Sequence, residues 1–360
     1  MSKKILFIAA HRPQRSPSQR FRFEQYLQVL KQNGFDCKQS YLLNEKDDRL
    51  FYSDSGHLNK FWILIKCILI RVFDVINSFN YDIVFVQREA IFLGTSIFER
   101  LIRFSGAKLV FDFDDAVWNL DVSESNKRFS FLKNPKKTAS IIRFSNLIFA
   151  GNFFLKEYAK RYNDNVVIIP TTIDTNEYQL KKTTNKDRVC IGWSGSETTV
   201  VHFNLSIPVL KRVQRKFGDK VYFKTIGIKE YGQEGLKIKN VKWSLETEVK
   251  ELSEIDIGIM PLPDDAWAKG KCGLKGLQYM ALGIPTIMSP VGVNSEIIQD
   301  SINGYLASDE EEWFEKISLL IEDFNLRLTI GKESRKTIVE NYSVQANEGL
   351  YVSLFNSLIG

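Results

Sequence analysis

Short apolar runs rich in β-branched residues alternate along the chain with helix-length amphipathic segments. In the first half the runs predict strands at 4–10, 36–42, 82–87, 108–113, 146–150 and 166–169. The 3.6-residue periodicity between them predicts helices at 19–33, 58–78, 91–104 and 152–162. Segment 114–145 breaks this rhythm and reads as a loop and a helix, with Pro135 as punctuation. A second series predicts strands at 189–193, 221–226, 241–243, 256–260 and 286–289. Its helices fall at 198–217, 246–253, 274–282, 295–298, 310–324 and 326–341, with a terminal amphipathic helix at 344–358.

Alternation of this kind argues for an α/β fold with mainly parallel sheets covered on both faces. The expected organisation is a Rossmann-like domain at 1–172, a polar linker at 173–187, a second Rossmann-like domain at 188–342 and a terminal helix at 343–360. Doubly wound domains bind ligands outside the carboxyl ends of their strands. Two of them facing each other frame a cleft.

The segment 58–78 is the most apolar part of the chain. On a helical wheel Lys60, Lys66, Arg71, Asp74 and Asn77 share one arc, and Phe61, Trp62, Ile65, Ile68, Leu69, Val72 and Ile76 the other. Its charges keep it from crossing a bilayer. The expected arrangement packs the apolar arc on the domain's own sheet. The alternative is an in-plane membrane contact through 60–78.

Composition adds a limit and a direction. With 44% hydrophobic and 26% charged residues, the chain is globular rather than disordered. The net charge of +6 is uneven: residues 1–150 hold 23 Lys and Arg against 15 Asp and Glu, and the remainder is nearly neutral. A basic first half suggests an anionic partner there. Cys37, Cys67, Cys190 and Cys272 lie far apart, and none of the three histidines sits near them, so a zinc site or a disulfide framework is not expected. The apolar run at the start is too short for a signal segment and reads as a buried strand. The expected location is cytoplasmic, with a peripheral position on the inner face of the plasma membrane if the 60–78 helix makes its contact.

The densest chemistry lies at 256–287. A buried strand ends at Met260-Pro261, a loop with Gly270 and Gly273 follows, and a helix runs from near Gly273 to Gly283, with Pro285 beyond. Lys271 and Lys275 stand at the helix start, where free N–H groups and the helix dipole are already positive. A diphosphate bound there resolves that conflict; solvated lysines on a loop are the alternative.

This run, with LQYMALGIPTI at 277–287, SPVGVNSEII at 289–298 and NGYLA at 303–307, resembles the donor-site segment of GT-B glycosyltransferases of group 1, also called family 4. The likeness spans roughly 240–345 and extends to 165–195. It implies a GT-B fold whose terminal helix packs back on the first domain, and a sugar-nucleotide donor held by the second domain. It also implies transfer without a catalytic metal or an added cofactor. The family carries two glutamates in this segment, near the donor sugar and on the nucleotide ribose. Here those positions fall on Gly270 and Gln278, and Gln278 can still hydrogen-bond ribose hydroxyls. Family members also place basic residues after the first strand of this domain. The corresponding loop here, GWSGSETT at 192–199, has none, and its Gly192, Ser194 and Gly195 are expected to offer backbone N–H groups to phosphate. The resemblance places the nucleotide base near Gly227 and Lys242.

In the first half, FDFDDAVW at 111–118 puts Asp112, Asp114 and Asp115 at a strand's carboxyl end. Grouped carboxylates suit acid–base work or Mg²⁺. Asp114 or Asp115 is the candidate to bind or deprotonate an acceptor hydroxyl, with helix capping by Asp115 as the alternative. His11 at the first strand's tip is a candidate catalytic imidazole, and no metal site is assigned. Arg12, Arg15, Arg20 and Arg22 in the following loop suit phosphate recognition, on the donor or on a lipid-linked acceptor. Ser18 is the expected N-cap of the next helix.

The leading expectation is a hexosyltransferase moving sugar from a nucleoside-diphosphate donor to a glycan or lipid-linked hydroxyl, in bacterial surface polysaccharide synthesis. A sugar-nucleotide epimerase on the same fold, or a non-enzymatic basic module binding membrane or nucleic acid, are the alternatives. No nucleic-acid-binding motif is present, so nucleic acid is not the expected partner.

Overall fold

The computed structural model describes residues 3–53, 56–119, 134, 136–182 and 184–359. Pro135 and residues 120–133 of the expected loop lie outside the described residues. The chain divides into two compact units, Met1–Thr171 with Glu348–Gly360, and Thr172–Asn347.

The first unit is built on the strands β1 (Lys3–His11), β2 (Phe35–Leu43), β3 (Ile83–Gln87), β4 (Lys108–Phe113), β5 (Leu147–Ala150) and β6 (Val166–Ile168). Its helices are α1 (Pro17–Arg22), α2 (Leu27–Gln32), α3 (Glu45–Phe51), α4 (His57–Asn77), α5 (Ile97–Ile102), α6 (Lys136–Phe144) and α7 (Phe153–Lys160). All strand pairs are parallel, in the order β2-β1-β3-β4-β5-β6. Every residue of β3 is buried, as a central parallel strand covered on both faces requires. The order reverses at β1, so the carboxyl ends of β1 and β3 diverge and leave a crevice.

The helix expected at 19–33 is broken. Phe23 leaves helical geometry (φ −139°, ψ −32°) and stacks on Phe7, with ring centroids 5.1 Å apart. Burial of that ring overrides the local periodicity. The C-terminal segment Glu348–Gly360 belongs to this unit and completes its core: Tyr351 stacks on Tyr26 at 4.1 Å, and Phe355 meets Phe85 at 6.1 Å. This is the return of the terminal helix that the sequence suggested.

The helix α4 is where expected but turned the other way. The favoured expectation, an apolar arc on the sheet, is overturned: Arg71 and Asp74 are buried, while Phe61, Trp62, Leu69, Val72 and Ile76 are exposed. The buried guanidinium bonds Asp74, Ser40 Oγ and the carbonyls of Ala9 and Ala90. With each guanidinium nitrogen donating, Arg71 and Asp74 are held inside. No helix among the described residues is long and apolar enough to cross a membrane.

The second unit carries β7 (Val189–Ser194), β8 (Val221–Ile226), β9 (Ile238–Val241), β10 (Ile257–Met260), β11 (Thr286–Met288) and β12 (Tyr305–Leu306). Its helices are α8 (Val200–Asn204), α9 (Ile207–Phe217), α10 (Glu248–Ser253), α11 (Ala266–Lys269), α12 (Leu274–Ala281), α13 (Asn294–Ile297), α14 (Glu310–Glu322) and α15 (Phe324–Thr337); the last helix, α16 (Val344–Ile359), starts here and belongs to the first unit from Glu348 onward. The sheet is parallel, in the order β12-β11-β10-β7-β8-β9, which is the Rossmann order with its reversal between β7 and β10. The strand expected at 241–243 ends where that prediction begins, and β12 was not among the predicted strands. The stretch 173–187, read as a linker, is packed into this unit over its first part. Ile173 donates its N–H to Tyr342 O at 2.8 Å, Lys181 donates its N–H to Leu282 O at 3.1 Å, and Tyr178 is buried.

Candidate functional site

The carboxyl edge of each sheet gathers residues that the sequence singled out. In the first unit, β1 ends at His11, and the Gln19 side chain spans the loop that follows. It accepts the His11 N–H and donates to the His11 carbonyl, both at 2.8 Å. Arg12 and Arg15 both turn onto Asp48 Oδ2, at 2.9 and 2.8 Å. Burial works against ionisation of Asp48, but hydrogen bonds from Arg15 and Arg12 outweigh it and hold the carboxyl below its usual range.

Arg20 and Arg22 are not available as acceptor ligands. Both are buried; Arg20 lies over the Phe21 ring, and Arg22, 0% exposed, makes a double contact to Asp112 and bonds the Ile169 carbonyl. Arg22 thereby ties α1 to β4. Burial pushes the His11 imidazole down to about 4, with Asp48 opposing and Arg15, Arg88 and Arg12 reinforcing. Its Nδ1 is enclosed and lacks a hydrogen-bond partner among the described residues. His11 is therefore neutral near pH 7.

Asp114 and Asp115 share a partner that sequence reasoning missed. Arg88 follows β3 in a left-handed conformation (φ +61°). Its Nε meets Asp114 Oδ1 at 2.7 Å, and its Nη2 meets Asp115 Oδ2. Burial alone would raise the Asp114 pKa, but Arg88 overrides it and holds the carboxylate low. Ser18 donates to Asp114 Oδ1 at 2.7 Å and accepts from Gln87 at 2.6 Å. Ser18 is thus not the N-cap, a position that Ser16 occupies ahead of Pro17. Asp115 caps no helix among the described residues. The signal for this cluster was present: a charged Arg88-Glu89 pair directly after the strand IVFVQ, apolar up to its last residue.

In the second unit the reversal lies between β7 and β10, and the expected donor segment follows β10. Asp265 caps α11 by accepting the Ala268 N–H at 2.7 Å, and the chain then turns through Gly270 into α12. Gly273 caps α12 at φ +71°, where a Cβ would lie 2.4 Å from Ile297 Cδ1. Only glycine meets both conditions. α12 has no side-chain cap and no acidic residue in its first turn. Lys271 Nζ lies 5.2 Å from the Trp267 ring centroid, and Lys275 Nζ lies 5.6 Å from that of Trp193. Because Trp193 belongs to β7, the latter contact brings the start of α12 to the carboxyl end of β7. Tyr279 reinforces the link: its hydroxyl accepts the Ser194 N–H at 2.7 Å and lies 3.0 Å from Ser194 Oγ.

The loop after β7 differs from its expected role. The N–H groups of Ser194, Gly195 and Ser196 go to Tyr279 Oη, Ile226 O and Thr199 Oγ1. They form no open cradle for phosphate. Gly192 is glycine because a Cβ would fall 2.3 Å from Ile255, and Gly227 (φ +101°) because a Cβ would fall 1.9 Å from Gly195 O. Gln278 is also committed: it donates to Tyr178 Oη at 2.9 Å, and Tyr178 in turn donates to Glu248 at 2.7 Å. Buried in that network, Gln278 anchors the 173–182 stretch rather than facing a ribose. Lys242 is exposed just past β9.

The family model for Glycosyl transferases group 1 matches residues 199–323. Among solved structures, a glycosyltransferase from Rickettsia africae superposes with a TM-score of 0.69 at 16% identity, covering 99% of both chains. The sucrose-phosphate synthase of Thermosynechococcus elongatus gives 0.67 at 13%, also over 99% of both. Anabaena HepE, in complex with UDP and glucose, gives 0.63 at 13%, over 99% of this chain and 100% of that one. No curated protein matches by sequence. Residues 199–323 are accordingly a group 1 glycosyl transferase domain, carried by a chain with the fold of GT-B glycosyltransferases.

Proposed function

We propose that the chain is a hexosyltransferase that moves a sugar from a nucleoside-diphosphate donor to a hydroxyl of a glycan or lipid-linked acceptor, in surface polysaccharide synthesis. The observation that carries this is the start of α12, where Lys275 stands over Trp193 at the β7–β10 reversal. An uncapped helix start with two lysines beside it suits the diphosphate that leaves as the glycosidic bond forms. These groups supply the positive charge, so the proposal needs no metal ion and no cofactor beyond the donor. HepE binds UDP, which makes UDP the first nucleotide to test. In the first unit, Asp114 and Asp115, aligned by Arg88, are the proposed partners of the acceptor hydroxyl. Arg12 and Arg15 line the same edge but remain tied to Asp48.

The test is a thermal shift with UDP, since a ligand bound to the native state raises apparent stability. Lys271→Ala and Lys275→Ala are each expected to weaken UDP about tenfold, the scale of one charge-assisted contact. Their own melting temperatures should stay at the wild-type value. Unchanged UDP affinity in both variants rejects the phosphate assignment.

A further inference from the structure

The inverted helix α4 has a consequence independent of sugar transfer. Its rotation is set from inside: Arg71, 0% exposed, donates to the Ala9 carbonyl at 2.6 Å and to Ser40 Oγ at 3.0 Å, while pairing with Asp74. A buried guanidinium cannot leave such partners cheaply. The opposite arc is thereby delivered to solvent, with Trp62 63% and Phe73 62% exposed. The helix α5 packs beside α4 and extends this surface with Ile97, Leu101 and, just past its end, Phe104. Apolar surface gathered on neighbouring helices marks an interaction site rather than scattered exposure.

Charge identifies the occupant. On α4, α5 and the turn after α5, both carboxylates, Asp74 and Glu99, are buried. Arg100 and Arg103 are exposed, Lys60 is half-buried, and Lys66 reaches the surface while paired with Asp47. The first exposed carboxylate past α4, Asp82, accepts the Lys4 N–H. An apolar face edged by cations, with its acids withdrawn, complements an anionic lipid surface. A second copy docked through the same face by a two-fold axis would set these cations against one another. The geometry points to in-plane docking of α4 and α5 on an anionic bilayer. Trp62, Phe73 and Phe104 enter the headgroup boundary, and Lys60, Arg100 and Arg103 meet lipid phosphates. Over its length α4 lays down an apolar strip of about 30 Å.

The experiment is co-sedimentation of the full chain with phosphatidylcholine vesicles, with and without phosphatidylglycerol, alongside light scattering for oligomeric state. The wild type binds vesicles containing phosphatidylglycerol and binds pure phosphatidylcholine several-fold more weakly. Trp62→Ser/Phe73→Ser/Phe104→Ser lowers the bound fraction about tenfold or more. Lys60→Glu/Arg100→Glu/Arg103→Glu removes the preference for anionic vesicles, and a control, Leu328→Ser in the second unit, changes nothing. Failure of the wild type to bind, or wild-type binding retained by both triple variants, overturns the proposal. So does a dimer that the Ser variant dissociates with no vesicle binding by the wild type. If the Ser variant misfolds by circular dichroism, the lipid comparison on the wild type and the charge variant still decide.

Discussion

The carboxyl edges of the two sheets solve the same problem with opposite materials. The first is crowded with formal charge, yet most of that charge is spent internally. Arg12 and Arg15 sit on Asp48, Arg22 on Asp112, and Arg88 on Asp114 and Asp115. The second edge belongs to the nearly neutral part of the chain and is shaped by glycines and aromatic rings, with Lys271 and Lys275 over Trp267 and Trp193. A basic surplus in sequence therefore counts cations, not cations available to a ligand. The first edge is an ion-paired scaffold that fixes where polar groups point. The second is a backbone arrangement in which small residues let a helix start reach a strand end.

Three perturbations probe this contrast. The largest effect is expected from Arg22→Ala, which leaves Asp112 buried without its partner. Such a loss costs about 3–5 kcal/mol, and urea denaturation should show it as a lower midpoint. If the variant keeps wild-type stability, the ion-paired scaffold is not structural. In the second unit the counterpart is Gly227→Ala, which places a Cβ against Gly195 O at positive φ. Strain and overlap together should cost about 2–4 kcal/mol. A crystal structure of a stable variant with the β7 and β8 exits unmoved would contradict the close approach.

The third effect is in pH. Folded His11 titrates near 4, against 6.5 for the free imidazole. Between these values the unfolded chain binds the extra proton, so stability is full above the higher value and falls as pH drops toward the lower. The loss should be about 3 kcal/mol, read from denaturation midpoints across that range. His11→Gln should flatten the profile; an unchanged slope would place the proton elsewhere.

Much of the second edge was legible because its signals are local. Gly273 and Gly283 bracket α12 as the sequence suggested, and the left-handed glycine past its end is a local requirement of the chain leaving the helix. The roles assigned to Gln278, Ser194 and Gly195 were not legible in the same way. Their partners Tyr178, Tyr279 and Ile226 are distant in sequence, and no spacing rule connects them.

The sequence by itself determined the alternation of strands and helices, the α/β class, the limits of α12 and the two arcs of α4. Each follows from periodicity or from a backbone preference confined to neighbouring residues. Only the tertiary structure decided the strand orders that put reversals at β1–β3 and β7–β10, and the arginines that meet carboxylates before any ligand can. It also decided which arc of α4 faces inward. A helical wheel reports that two faces differ; which one is buried depends on whether distant groups such as Ala9, Ser40 and Ala90 can satisfy a buried Arg71.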